Sequence, residues 1–163
     1  MRIHLTNKAD YAVRAVLDIA RHHPELRTTA QITAAMDLPR NFLSQILATL
    51  VRHRVLKSSA GPAGGYTLAR PAASISLLEV IEVVEGPVAT DECVLGGGSC
   101  DWDNVCPLHE PWAEAKVGFV DRLVDTSFER LAEIDAAMTA GTYVLPDHTP
   151  PHGFTTPRLG KDE

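Results

Sequence analysis

Long apolar runs are missing from this 163-residue chain. None approaches the roughly 18 uncharged residues that a membrane span needs, so a spanning helix is excluded. The opening segment, Met1-Arg2-Ile3-His4-Leu5-Thr6-Asn7-Lys8-Ala9-Asp10, also lacks the apolar stretch of a secretory signal, and a cytoplasmic protein is expected. Cysteine is scarce. Three residues, an odd number in a reducing compartment, argue against a disulfide framework and leave metal binding or redox chemistry. No glycine-rich phosphate or nucleotide motif is present, and no His or Asp lies at a recognisable triad spacing, so enzymatic activity is not expected. Internal repeats are absent. What remains is 45% hydrophobic and 22% charged residues, in a length that suits one domain, or a small domain with an appendage, around a real core.

The net charge of −6 conceals a division. Residues 1–70 hold 10 basic against 4 acidic side chains, whereas residues 71–163 hold 5 against 17. A basic half on an acidic chain points to a polyanion-facing module joined to a part with another task.

Hydrophobic spacing orders the elements. A helix is predicted from about Asn7 to His23, capped by Thr6, with Ala9, Ala12, Val13, Val16 and Ala20 on one face and Pro24 ending it. A short helix from Thr29 to Met36 follows, with Ile32 and Ala35 facing inward, then a turn at Asp37-Leu38-Pro39. The third helix, Arg40 to about His53, carries Phe42, Leu43, Ile46, Leu47 and Leu50 as its apolar face. Val55–Ser58 and Tyr66–Ala69 read as strands joined by the loop Ala60-Gly61-Pro62-Ala63-Gly64-Gly65. Helix, helix, turn, helix, hairpin is the order of a winged helix-turn-helix, in which the hairpin is the wing.

Beyond the wing, Ser76-Leu77-Leu78-Glu79 is a capping box that opens a helix to about Glu85. Gly86 to Val105 reads as irregular. A long helix is expected from Pro107 to about Asp125, with Leu108, Trp112, Ala115, Phe119 and Leu123 on one stripe. So small a chain leaves that stripe few internal partners, and a two-fold homodimer packed along it is the natural solution. Thr126-Ser127-Phe128-Glu129 is read as a second capping box before a last helix ending near Gly141. The expected class is mainly α: a winged helix-turn-helix DNA-binding domain over residues 1–70, a metal-binding loop and dimerisation helices over 71–140, and a disordered tail over 141–163.

A recognition helix offers its N-terminal side chains to base edges in the major groove. Here those are Arg40, Asn41, Ser44 and Gln45, set around a buried Phe42-Leu43 step; Arg pairs with guanine, and Asn or Gln with adenine. Thr28 and Thr29, at the start of the preceding helix, can place hydroxyls and amides on phosphate. Arg52, His53, Arg54 and Lys57 form a basic cluster leading into the wing, read as phosphate contacts.

Cys93, Cys100, Cys106 and His109 are separated by six, five and two residues. Thiols in a glycine-rich loop before a helix N-terminus can converge on one metal centre, and the helix dipole favours thiolate. Zinc held by three Cys and one His is one possibility, although structural zinc sites usually leave shorter gaps. Longer gaps suit an iron–sulfur cluster. Unligated thiols are the third.

Leu5-Thr6-Asn7-Lys8-Ala9-Asp10-Tyr11-Ala12-Val13-Arg14 resembles the opening helix of the bacterial winged-helix iron–sulfur repressors that include NsrR and IscR. Gly61-Pro62-Ala63-Gly64-Gly65-Tyr66-Thr67-Leu68 resembles that family's wing, and Ile75-Ser76-Leu77-Leu78-Glu79-Val80-Ile81 the helix after it; the cysteine loop follows in place. The likeness covers roughly residues 1–140. It implies a homodimer on a two-fold symmetric double-stranded DNA operator, with one cluster per subunit held by Cys93, Cys100, Cys106 and a non-cysteine ligand. His109 matches the histidine of the 2Fe-2S, IscR-like branch, which regulates iron–sulfur assembly or iron supply. Asp10 matches the aspartate of the 4Fe-4S, NsrR-like branch, reaching the cluster of the partner subunit; the six-residue first gap leans the same way. Nitric oxide or an oxidant is the signal that branch implies. Where the family wing often carries Arg, this chain has Ala60, which leaves the wing, Gly64 included, with backbone contacts.

Overall fold

A computed structural model of the chain describes residues 5–88 and 106–144. Cys93, Cys100, nearly all of the segment expected to be irregular, and the tail beyond residue 144 lie outside the described residues. The elements are α1 (Asn7–Arg21), α2 (Thr29–Met36), α3 (Arg40–Arg52), β1 (Leu56–Ser59), β2 (Gly65–Leu68), a 3-10 turn (Ala72–Ser74), α4 (Leu77–Glu85), α5 (His109–Asp125) and α6 (Phe128–Thr139). This is the mainly helical winged helix expected from the sequence.

The other helices pack on α1 or on the core that α1 centres, α5 only through the partly buried Leu123. Thr6 caps α1 by accepting from the Ala9 amide at 3.4 Å. Ala9, Ala12, Ala15, Val16 and Ile19 are fully buried, while Val13 and Ala20 of the expected face are only half-buried. The small alanines let neighbouring helices approach closely, and the stripe is centred further round the helix than the sequence suggested. Ile32, Leu43, Ile46, Leu47 and Leu50 of α2 and α3 join it; so do Val80, Ile81 and Val84 of α4 and Phe128 of α6. Residues on both sides of position 70 therefore share one core. Burying Phe128 completely is worth about 3–5 kcal/mol against truncation to alanine.

The wing is an antiparallel hairpin in the register Leu56↔Leu68, Lys57↔Thr67, Ser58↔Tyr66 and Ser59↔Gly65. It is not left to stand alone. The Arg27 amide donates to the Tyr66 carbonyl at 2.8 Å, and the Tyr66 amide to the Arg27 carbonyl at 2.9 Å, adding a short third edge. A Cβ on Gly65 would lie 2.8 Å from that Arg27 oxygen, so only glycine admits the pairing. The Arg27 side chain turns inward. Its Nε lies 2.9 Å from Asp18 Oδ2, and a second guanidinium nitrogen donates to Oδ1 at 3.1 Å. Asp18 is wholly buried in α1, so this forked pair ties α1 to the segment that carries both the wing's third edge and the start of α2.

A second backbone link closes the C-terminal half. The Leu77 amide donates to the Thr126 carbonyl at 2.8 Å and the Phe128 amide to the Ile75 carbonyl at 2.9 Å. Helix α6 then returns to α1, where Arg21 pairs with Asp135 at 3.0 Å. No residue of α5 is buried, and Val117, Phe119 and Val124 are exposed apolar side chains.

Several expectations need correction. Phe42 is 64% exposed rather than buried, and Ala35 is exposed too. Successive helical residues turn by about 100°, so Phe42 points away from a stripe already occupied by Leu43, Ile46, Leu47 and Leu50. Helix α5 begins at His109, not Pro107. Ser76 accepts from the Glu79 amide at 3.1 Å, but the Glu79 carboxylate pairs with Arg70, so the box is completed on one side only. At the last helix the cap is Ser127, which accepts from the Arg130 amide at 3.2 Å. Thr126 and Glu129 form no box, because Glu129 falls one position too early for it.

Replacing Arg27 with Met strands a buried carboxylate and is expected to cost about 3–5 kcal/mol in urea unfolding. The double variant Asp18→Leu/Arg27→Met removes both charges and is expected to recover most of that loss; equal losses in the two would show that the charge pair is not the cause.

Candidate nucleic-acid interface and metal-binding segment

Helix α3 opens directly out of Leu38-Pro39. Pro39 has no side chain with which to cap it, so no side-chain hydrogen bond closes the first turn. Arg40, Asn41, Ser44 and Gln45 are all exposed there, and among the described residues none of these side chains is engaged in a hydrogen bond or ion pair. Asn41 and Gln45 are four residues apart, as are Arg40 and Ser44, which places them in two adjacent rows on one face. Such a surface can present two amides and a guanidinium to base edges. Phe42 stands among them, bordering a groove of about 380 Å3 with Asn7, Lys8 and Tyr11 of α1 and with Gln45 and Ile46.

The remaining residues expected at this interface are more scattered. Thr28 spends its hydroxyl on the helix cap: it accepts from the Gln31 amide at 3.2 Å and donates to Gln31 Oε1 at 3.0 Å. What α2 can offer an anion is therefore its first-turn amides and the half-buried Thr29. Arg52 and Arg54 are exposed at the far end of α3, about 20 Å from Arg40 along the axis. Arg52 donates to Thr49 Oγ1 at 3.0 Å, and Arg54 has a left-handed backbone with φ 59°. Lys57 is exposed on β1 and shares a groove with Arg70 and with Glu129 and Glu133 of α6. At the wing tip, a Cβ on Gly64 would lie 2.3 Å from the Ser59 oxygen, which makes glycine obligatory there. Ala60 beside it is exposed.

Of the cysteines, only Cys106 is among the described residues. It is buried, with 8% exposure, and its carbonyl accepts from the His109 amide at 2.9 Å. His109 is the first residue of α5 and is exposed. Asp10 lies in the first turn of α1, where it pairs with Arg14 at 2.9 Å. Both side chains of that pair are near 40% exposed, at 41% and 38%, so the pair is weak enough to exchange for another partner. Two contacts not foreseen from the sequence join these regions. Lys8 Nζ donates to the Val84 carbonyl, and Thr6 hydrogen bonds to Glu85, so the start of α1 is bound to the end of α4. An ammonium at a helix C-terminus is favourable, but no sequence spacing pairs residues so far apart. Among the described residues no three His, Cys, Asp or Glu side chains gather into a metal-binding group.

The model of the Rrf2 family, described as iron-dependent transcriptional regulators, matches residues 5–134. The chain belongs to the Rrf2 family. It is 32% identical over 130 residues to the HTH-type transcriptional regulator IscR of Xenorhabdus nematophila, covering 79% of each chain. Among solved structures, its fold resembles CymR (YrzC), the global cysteine regulator of B. subtilis, with TM-score 0.69 and 22% identity over 81% of this chain and 98% of that one. It also resembles T. potens IscR, with TM-score 0.67 and 23% identity over 88% and 94%. As an Rrf2 protein the chain is a DNA-binding transcriptional regulator and not an enzyme. No described helix is long and apolar enough to cross a membrane.

Arg40→Ala is expected to weaken binding to a preferred duplex by about 1–3 kcal/mol and to flatten its sequence preference, with the melting temperature unchanged. Fluorescence anisotropy and footprinting read both effects; an unaltered footprint would remove Arg40 from the reading surface.

Proposed function

We propose that this Rrf2 regulator is a homodimeric repressor whose grip on a two-fold symmetric operator depends on an iron–sulfur cluster, and that nitric oxide or an oxidant is its signal. Residues 1–70 hold the DNA through Arg40, Asn41, Ser44 and Gln45 in the major groove, with Thr29, Arg52, Arg54, Lys57 and the Gly64 backbone on phosphates, while Thr28 serves as the cap of α2. Residues 71–140 hold the cluster and the dimer. Cys93, Cys100 and Cys106 supply three thiolates for a 4Fe-4S or 2Fe-2S centre, and the fourth ligand is Asp10 of the partner subunit. The observation that carries this reading is the junction at Cys106: a buried thiol, one turn before a helix in which no residue is fully buried and Val117, Phe119 and Val124 stand exposed. A buried soft donor suits iron or zinc, and exposed apolar side chains along a helix suit a second copy.

When bound, such a cluster supplies metal–thiolate bonds that crosslink the cysteine segment and that nitric oxide or an oxidant attacks. The rest is done by the chain itself. Cys106 anchors the start of α5. Lys8 and Thr6 hold the first turn of α1, which carries Asp10, against the last turn of α4, from which the cysteine segment departs. Helix α1 shares a core with α3. Any change in how Cys106 or Asp10 is held is thereby passed to the spacing and tilt of two α3 helices in a dimer. Switching an operator from nearly full to nearly empty needs a differential of about 5 kcal/mol, on the scale of breaking several metal–ligand bonds in a dimer.

One observation favours a second reading, an IscR-like regulator of iron–sulfur assembly or iron supply. His109 is joined to Cys106 through the 2.9 Å backbone bond and has no carboxylate partner among the described residues, so it is the nearer fourth ligand in sequence.

Anaerobic purification is expected to give a coloured dimer with iron and sulfide by analysis. Cys93→Ala, Cys100→Ala and Cys106→Ala should each abolish the visible absorption, and operator affinity should fall with it. A colourless, zinc-containing protein would overturn the cluster. Between Asp10→Ala and His109→Ala, the variant with the altered spectrum and altered nitric-oxide response identifies the fourth ligand.

A further inference from the structure

The exposed ring of Phe42 belongs to neither the core nor the wing nor the cysteine segment. It stands in the first turn of α3, next to Asn41 and three residues before Gln45. Ile46 and Tyr11 flank it, and Lys8 and Asn7 close the rim of the groove it borders; among the described residues no carboxylate lines that groove. An aromatic ring 64% exposed at the end of a helix whose neighbours are polar calls for an apolar partner from outside the chain.

The major groove of duplex DNA offers one apolar group, the C5-methyl of thymine, and Phe is among the side chains that pack on it. The neighbouring amides give this a register. Asn and Gln bond bidentately to adenine, whose partner base is thymine. One helical turn advances about 5.4 Å, and base pairs are stacked about 3.4 Å apart. A pair read by Asn41 or Gln45 therefore brings its own thymine methyl within about one base step of the ring beside Gln45.

We propose that Phe42 is a specificity-determining residue that packs on thymine C5-methyl groups and makes the α3 surface select A·T pairs beside Asn41 and Gln45. This rests on α3 entering the major groove, as proposed above.

The test uses the full-length dimer and a duplex enriched by the wild-type protein from a randomised pool. Each conserved thymine of that duplex is replaced in turn by deoxyuridine, which deletes one methyl and nothing else. Wild-type protein is expected to lose about fourfold in affinity at one or more of these positions, the worth of one buried methyl group. Phe42→Ala should bind the parent duplex more weakly and be indifferent to the same replacement, while Phe42→Leu keeps part of the sensitivity. Equal sensitivity in wild type and Phe42→Ala overturns the proposal, as does unchanged affinity of Phe42→Ala for the parent duplex. Dissociation of Phe42→Ala into monomers in sedimentation would assign the ring to a contact between copies and also overturn it. Should no duplex be enriched at all, the failure lies with the DNA-reading placement of α3 itself.

Discussion

A carboxylate with no access to water sits inside the central helix, and the geometry of the DNA-facing half is organised around its neutralisation. Arg27 meets the Asp18 carboxylate with two nitrogens, and the His22 ring lies 3.6 Å from the same group. Arg27 is thereby pinned, and with it the short stretch whose backbone pairs with Tyr66 on one side and leads into the Thr28 cap of α2 on the other. The wing and the start of α2 are the two parts of a winged helix that flank the reading helix. Their placement relative to α1 thus combines core packing through Ile32, Leu56 and Leu68 with one buried ion pair, which hydrophobic packing of similar volume could match in stability but not in direction.

The second constraint is the use of α1 as a shared floor. Its buried alanines admit α2, α3, α4 and α6 at close range, so displacement of its ends is felt on several sides at once. The N-terminal end is the more interesting, because Thr6 and Lys8 fasten it to the last turn of α4 while Asn7, Lys8 and Tyr11 border the groove beside Phe42. A regulator needs its signal-receiving segment and its DNA-reading surface to share a rigid body. Here the departure point of the cysteine segment and the reading helix are on opposite flanks of the same few residues.

Much of this was legible in the residues. Helix α2 runs from Thr29 to Met36 as read, because Thr28, Gln31, Asp37 and Pro39 are all local signals whose effect is spent within a turn. The hairpin was placed to within a residue by its glycines, and the exposure of Arg40, Asn41, Ser44 and Gln45 followed from the helical period. Phe42 was misplaced because its type speaks for the core whereas its angle on the helix speaks against it. Angle prevailed, since Leu43, Ile46, Leu47 and Leu50 already fill the buried stripe. Asp18 escaped notice for the opposite reason: a carboxylate inside an apolar stripe reads as a surface residue until its partner nine positions on is seen folded back upon it.

By itself the order of residues determined the helices, the wing, the division of charge and the presence of three thiols before a helix start, because each depends on neighbours in the chain or on plain composition. The tertiary structure alone decided that residues before and after position 70 share a core, that Ser76 and Ser127 are bridged, and that Lys8 closes the end of α4. Those are contacts between segments distant in sequence. They are selected by which faces remain unpaired after the local elements have formed, and that competition leaves no local pattern to read.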